Sequence, residues 1–121
     1  MRLATPTRPR PPNELPSSIE YVTVAHVSEV PPGTVRAVQA GERFYALVNL
    51  DGVLHAIDNN CPHMGGPLSK GTLRGKNLIC PWHAWWWDVT SGRNTAPGVD
   101  WRVPRLPVRI LENGEIQLPV I

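Results

Sequence analysis

The chain has 121 residues and a formal charge of +2, enough for one domain with its own core and too little for a second catalytic domain. Arg2, Arg8 and Arg10 against Glu14 account for that excess, leaving nine basic and nine acidic side chains in residues 19–121. A balanced folded part excludes a polycationic nucleic-acid binder. Ten glycines and fourteen prolines argue against a helical protein and for short strands joined by turns.

Along the chain, residues 1–18 predict a proline-rich, mobile N-terminal arm, and residues 19–121 a single folded domain. The arm has no apolar run to act as a secretory signal and no paired arginines. Its five prolines from Pro6 to Pro16 oppose an amphipathic targeting helix. No run of about eighteen apolar residues occurs anywhere, so no membrane span is expected and the cytoplasm is the expected compartment.

Residues 20–27 read as a strand and 28–30 as one helical turn, stopped by Pro31-Pro32-Gly33. Strands follow over 34–40 and 43–50. Asp51-Gly52 is the strongest hairpin signal and pairs 43–50 with 53–57. Asp58-Asn59-Asn60 breaks that strand with turn and loop-capping residues. Two short strands flank a turn at Arg74-Gly75-Lys76-Asn77, another covers 85–89, residues 93–104 look irregular, and 106–111 and 116–120 are the last strands. The count, roughly eight to ten short strands, predicts an all-β fold: a small antiparallel β-sandwich or partly closed barrel.

The chemistry gathers in two loops. Cys61-Pro62-His63 is followed, after sixteen residues, by Cys80-Pro81-Trp82-His83, and these are the only two cysteines. Each thiol has an imidazole two or three positions on, a pattern for metal rather than for a disulfide. Thiolate and imidazole both suit iron and zinc. Proline after each cysteine stiffens the loop, and Gly65-Gly66-Pro67 permits a sharp turn and close backbone approach. Three readings stand on these residues alone: unrelated core and loop residues, a Cys2His2 zinc site, or an iron–sulfur centre. A zinc finger would group its cysteines and place its histidines on a helix; here each loop supplies one of each. Beyond ligand spacing the two loops show no likeness.

The stretch CPHMGGPLSKGTLRGKNLICPWHAWWWDVTSG, residues 61–92, resembles the Rieske signature well beyond the four ligands. It is most similar to the Rieske ferredoxins of bacterial ring-hydroxylating oxygenase systems, and also to the small subunit of assimilatory nitrite reductase. The resemblance implies a β-sandwich with a two-loop cluster-binding subdomain. It implies one [2Fe–2S] cluster, its inner iron on Cys61 and Cys80 and its outer iron on His63 and His83 through Nδ1. Ala96-Pro97-Gly98 matches a third, proline-containing loop that covers the cluster.

By that resemblance the chain is a one-electron carrier, a component of an oxidoreductase system rather than a catalyst on its own. It takes electrons from a flavin reductase and passes them to an oxygenase; the alternative is a small subunit of a larger enzyme such as NAD(P)H nitrite reductase. Its partners are redox proteins, with no nucleic acid and no membrane. Two ferric ions, two sulfides and two thiolates sum to zero charge with neutral histidines, so such a centre accepts an electron more readily than an all-cysteine one. Respiratory relatives carry disulfide cysteines where this chain has Gly66 and Trp82, and a sulfur-donating serine where it has Trp85. Their absence predicts a potential at the low end of the Rieske range.

Around the ligands, Trp82 is expected to shield the cluster edge, Trp85 and Trp87 to be core, Trp86 to be exposed, and Trp101 to be core or a loop anchor. Ala84 replaces the glycine usual in the family, and a positive φ there would strain it. His26 and His55 are expected to be structural.

Overall fold

The computed structural model describes residues 19–62, 65–82, 84–95 and 100–121. The expected arm, His63, His83 and Ala96-Pro97-Gly98 therefore lie outside the described residues. Those described form ten strands: β1 Tyr21–His26, β2 Val35–Ala40, β3 Arg43–Leu50, β4 Val53–Asp58, β5 Thr72–Arg74, β6 Asn77–Ile79, β7 Trp86–Asp88, β8 Arg105–Leu106, β9 Arg109–Ile110 and β10 Glu115–Pro119. Two 3₁₀ turns, Val27–Glu29 and Leu68–Lys70, interrupt them.

The strands make three antiparallel sheets, in the orders β1-β10-β9, β2-β3-β4-β8 and β5-β6-β7. The sheets stay open, so the expected sandwich forms and the expected barrel closure does not. Ala25 of β1 and Ile116 and Leu118 of β10 share one core with Val38, Leu47 and Ala56 of the four-stranded sheet. A second core lies on the other face of that sheet. There Ala46, Val48 and Ile57 meet Leu78, Trp87 and the two cysteines. β3 is thus buried on both faces: Tyr45 and Leu47 belong to the first core, Ala46 and Val48 to the second.

The β3–β4 hairpin follows from two residues. Leu50 pairs with Val53, leaving Asp51 and Gly52 as the turn, at φ 51° and 94°. Both are left-handed, the conformation that matches the twist of a two-residue hairpin. Buried Asn49 fastens it: Asn49 Oδ1 accepts the Gly52 N–H at 2.7 Å, and Asn49 Nδ2 donates to the Val30 carbonyl at 2.7 Å.

The single strand expected over 106–111 splits. β8 pairs with β4 and β9 with β10, because the chain crosses from one sheet to the other at Pro107, whose nitrogen cannot donate to a ladder. Both spare histidines are structural, as expected. His26 Nδ1 accepts the Ser28 N–H at 3.1 Å, so Nε2 carries the hydrogen and donates to the Asn113 carbonyl at 2.8 Å. His55 Nδ1 lies 3.2 Å from Arg105 Nη2, while Arg105 Nε donates to the Val89 carbonyl at 2.9 Å.

Burial and the neighbouring Arg105 guanidinium hold the His55 imidazole below the ordinary histidine range, against a smaller opposing pull from Asp88. A histidine with a lowered folded pKa binds its proton more readily in the unfolded chain. Its contribution is therefore complete above the unfolded value, about 6.5, and declines as pH falls through it toward the folded value. Denaturant titrations from pH 8 to pH 5 should show wild-type stability falling more steeply than that of His55→Gln; parallel curves would contradict this.

Candidate metal centre

Each cysteine opens a six-residue loop flanked by a β-pair. Asn60 and Pro67 form an antiparallel bridge around residues 61–66. Ile79 of β6 pairs with Trp86 of β7 around residues 80–85. The loops close alike. The Cys61 N–H donates to the Gly66 carbonyl at 2.9 Å and the Cys61 carbonyl accepts from Gly65 at 2.6 Å. The Cys80 N–H donates to the Trp85 carbonyl at 2.8 Å and the Cys80 carbonyl accepts from Ala84 at 3.0 Å. The fifth residue of each loop is left-handed, Gly65 at φ 76° and Ala84 at 55°. The loops therefore share their closing hydrogen bonds and a left-handed fifth residue, a likeness deeper than ligand spacing and one the sequence reading missed.

Local side chains fix the loop mouths. Asp58 Oδ1 accepts the Asn60 N–H at 2.9 Å, an Asx turn that ends β4. Asn59 holds the 3₁₀ turn beyond the first loop: Oδ1 accepts from Ser69 at 2.8 Å and its carbonyl from Leu68 at 2.7 Å. Beyond the second loop, Asp88 Oδ1 takes the Thr90 N–H at 2.9 Å and the Thr90 hydroxyl at 2.6 Å, and Oδ2 lies 3.2 Å from Lys76 Nζ. Burial pushes the Asp88 carboxyl up, but the Thr90 and Lys76 contacts outweigh it and keep it below the usual range. Asp88 was not singled out from sequence; the Asp-x-Thr spacing of a local turn was its signal.

Cys61 and Cys80 are both buried in the second core, with no disulfide between them. Gly66 brings the two loops together. A methyl group placed on it would come within 2.8 Å of Cys80 Sγ and 3.1 Å of the Trp82 ring. The loops thus leave no room beside the Cys80 sulfur for even a small side chain. Two soft thiols, withdrawn from water at the heads of matched loops, suit iron held by sulfur. Gly66 and Trp82, the positions where respiratory relatives carry disulfide cysteines, lie against each other.

A model of the Rieske [2Fe-2S] domain matches residues 20–105. The chain belongs to the Rieske [2Fe–2S] family. The family's group is a Rieske-type [2Fe–2S] cluster, which the buried thiols and paired loops fit. The chain is 37% identical over 100 residues to apoptosis-inducing factor 3 of Mus musculus, matching 82% of this chain and 16% of that protein. It thus spans about one sixth of that relative's length. It is 31% identical over 91 residues to the ferredoxin component of a naphthalene 1,2-dioxygenase system of Pseudomonas aeruginosa, covering 75% of this chain and 88% of that one. Among solved structures, a candidate NADH-dependent nitrite reductase small subunit of Mycobacterium tuberculosis superposes with a TM-score of 0.73 at 25% identity, over 85% of this chain and 96% of that one.

Trp86 and Trp87 fall as expected, whereas Trp85, expected in the core, packs against its edge. Trp87 is fully buried and Trp86 is 40% exposed. Half-buried Trp85 stacks between Trp87 and Trp101, with ring centroids 6.2 Å and 5.2 Å away. Trp101, 44% exposed, is a loop anchor rather than core. Ala84 carries the positive φ that its place in the loop implied. Relieving it, Ala84→Gly should stabilise the cluster-loaded chain by up to about 1 kcal/mol in denaturant titration; a destabilised variant would show that the alanine methyl makes packing worth more than the strain.

Proposed function

We propose that Cys61 and Cys80 hold the inner iron and His63 and His83 the outer iron, and that the chain carries single electrons from a flavin reductase to a ring-hydroxylating oxygenase. The observation that carries this is the pair of loops closed by matching hydrogen bonds, each placing one buried thiol in the same core. When bound, the cluster takes up and gives back one electron. The chain's own residues do the rest. Cys61 and Cys80 supply negative charge to the buried side. The surrounding apolar core excludes water from them, and the matched loop closures hold them before iron arrives.

The oxygenase reading is favoured by the naphthalene dioxygenase ferredoxin component, nearly all of whose length the chain matches. The nitrite reductase likeness favours the second reading, a small subunit of a larger reductase. Co-purification with a large sirohaem enzyme would support that second reading over the first. The division into an arm, residues 1–18, and a Rieske domain, residues 19–121, and a cytoplasmic location belong to the same proposal. Among the described residues no helix is long and apolar enough to cross a membrane.

The purified chain should contain about two irons and two acid-labile sulfides. Cys61→Ala, Cys80→Ala, His63→Ala and His83→Ala should each abolish the cluster's visible absorbance, whereas one zinc and no sulfide per chain would overturn the assignment. Trp85 where relatives have a hydroxyl donor, and Gly66 and Trp82 where they have a disulfide, disfavour the more negative reduced state. A redox titration should therefore give a midpoint of roughly −150 mV; a clearly positive value contradicts it.

Trp86, partly exposed beside the second loop, is the residue through which the partner docks in this proposal. Trp86→Arg should slow electron transfer to the true partner several-fold while leaving the cluster's spectrum unchanged. An unchanged rate would remove Trp86 from the docking surface.

A further inference from the structure

Among the described residues Trp82 is the most exposed large apolar side chain, at 63%, yet its ring is not idle. The hydrogen bonds described above close each loop on itself. Gly66 is one point where the loops meet: it faces both the Trp82 ring and Cys80 Sγ closely enough that a single methyl would strike each. An indole in that place lies over the end of the first loop while standing on the second, two residues from Cys80. Its apolar ring takes space that water would otherwise occupy next to the sulfur.

We propose that Trp82 is a positioning residue for the cluster: its ring interlocks with Gly66 to pin the first loop to the second and keeps water off the Cys80 thiolate. Glycine at 66 and the aromatic ring at 82 are two halves of one device, since a side chain at 66 would lift the ring away. The inference rests on the assignment of Cys80 as a cluster ligand. It predicts two separate consequences. Loosened loops release iron faster. Water admitted beside the sulfur stabilises the more negative, reduced state and raises the midpoint.

The test uses the full-length, cluster-loaded chain without any partner. Wild type, Trp82→Ala, Trp82→Leu and Trp82→Phe are compared by anaerobic iron release to a ferrous chelator and by redox titration. Trp82→Ala should lose iron several-fold faster and show a higher midpoint. Trp82→Phe, which keeps a flat ring over Gly66, should stay near wild type, and Trp82→Leu should fall between. If Trp82→Ala does not load iron, the Leu and Phe variants decide the matter on the same two readouts. Release rates and midpoints that do not differ among the loaded chains overturn the proposal, as does faster release with no change in midpoint, which reduces Trp82 to ordinary packing. Wild-type protein lacking about two irons and two sulfides would fail the cluster assignment itself, a distinct outcome.

Discussion

From Tyr45 to Asn49, β3 has no solvent face, and the arrangement of everything else follows from that. Its side chains alternate, as in any strand, but both alternating sets are buried: Tyr45 and Leu47 in the sandwich, Ala46 and Val48 beneath the metal loops. A one-residue slip would exchange the two sets and place a tyrosine where an alanine packs. Register is therefore fixed from both sides. The metal loops inherit that precision, because the first leaves the end of β4, which pairs with β3 along its whole length, and the second packs on the same wall.

Much of this was legible locally. The β3–β4 hairpin was plain because few residue pairs tolerate two successive left-handed conformations, and Asp51-Gly52 is one of them. A turn between two short strands within Arg74–Asn77, the single helical turn after β1 and the structural roles of His26 and His55 were equally readable. The split of the last region was not. Alternation through Leu106, Val108 and Ile110 looks like one strand. That Pro107 marks a crossing between sheets depends on where β4 and β10 lie in space, which no local pattern records. Barrel closure was open for the same reason: it depends on sheet-to-sheet geometry, whereas strand spacing alone reads alike for both forms.

At the candidate metal centre, the spacing of cysteines and histidines named the expected ligands and was too coarse to show the frame around the two cysteines. Cys-x-His and Cys-x-x-His look unlike, yet both cysteines begin loops of identical length with the same pair of closing hydrogen bonds. The shared frame was written in Gly65 and disguised by Ala84, where an alanine occupies the left-handed site. Gly66 announced close approach, but what approaches it, a sulfur and an indole from the other loop, is a tertiary fact. Asp88 escaped notice because its partners, Thr90 and Lys76, are ordinary surface residue types whose value comes from Asp88 being buried.

The tight turn at Asp51-Gly52 also bears on the order of assembly. A hairpin joined by two residues closes a short chain segment and forms on a microsecond scale, well ahead of pairings between distant strands. β1 with β10 is such a distant pairing, linking the two ends of the described chain. The wall that carries the first metal loop is thus among the earliest parts of the molecule to form. The loop that would hold iron at Cys61 thus hangs from a wall whose formation does not wait for the two ends of the chain to pair.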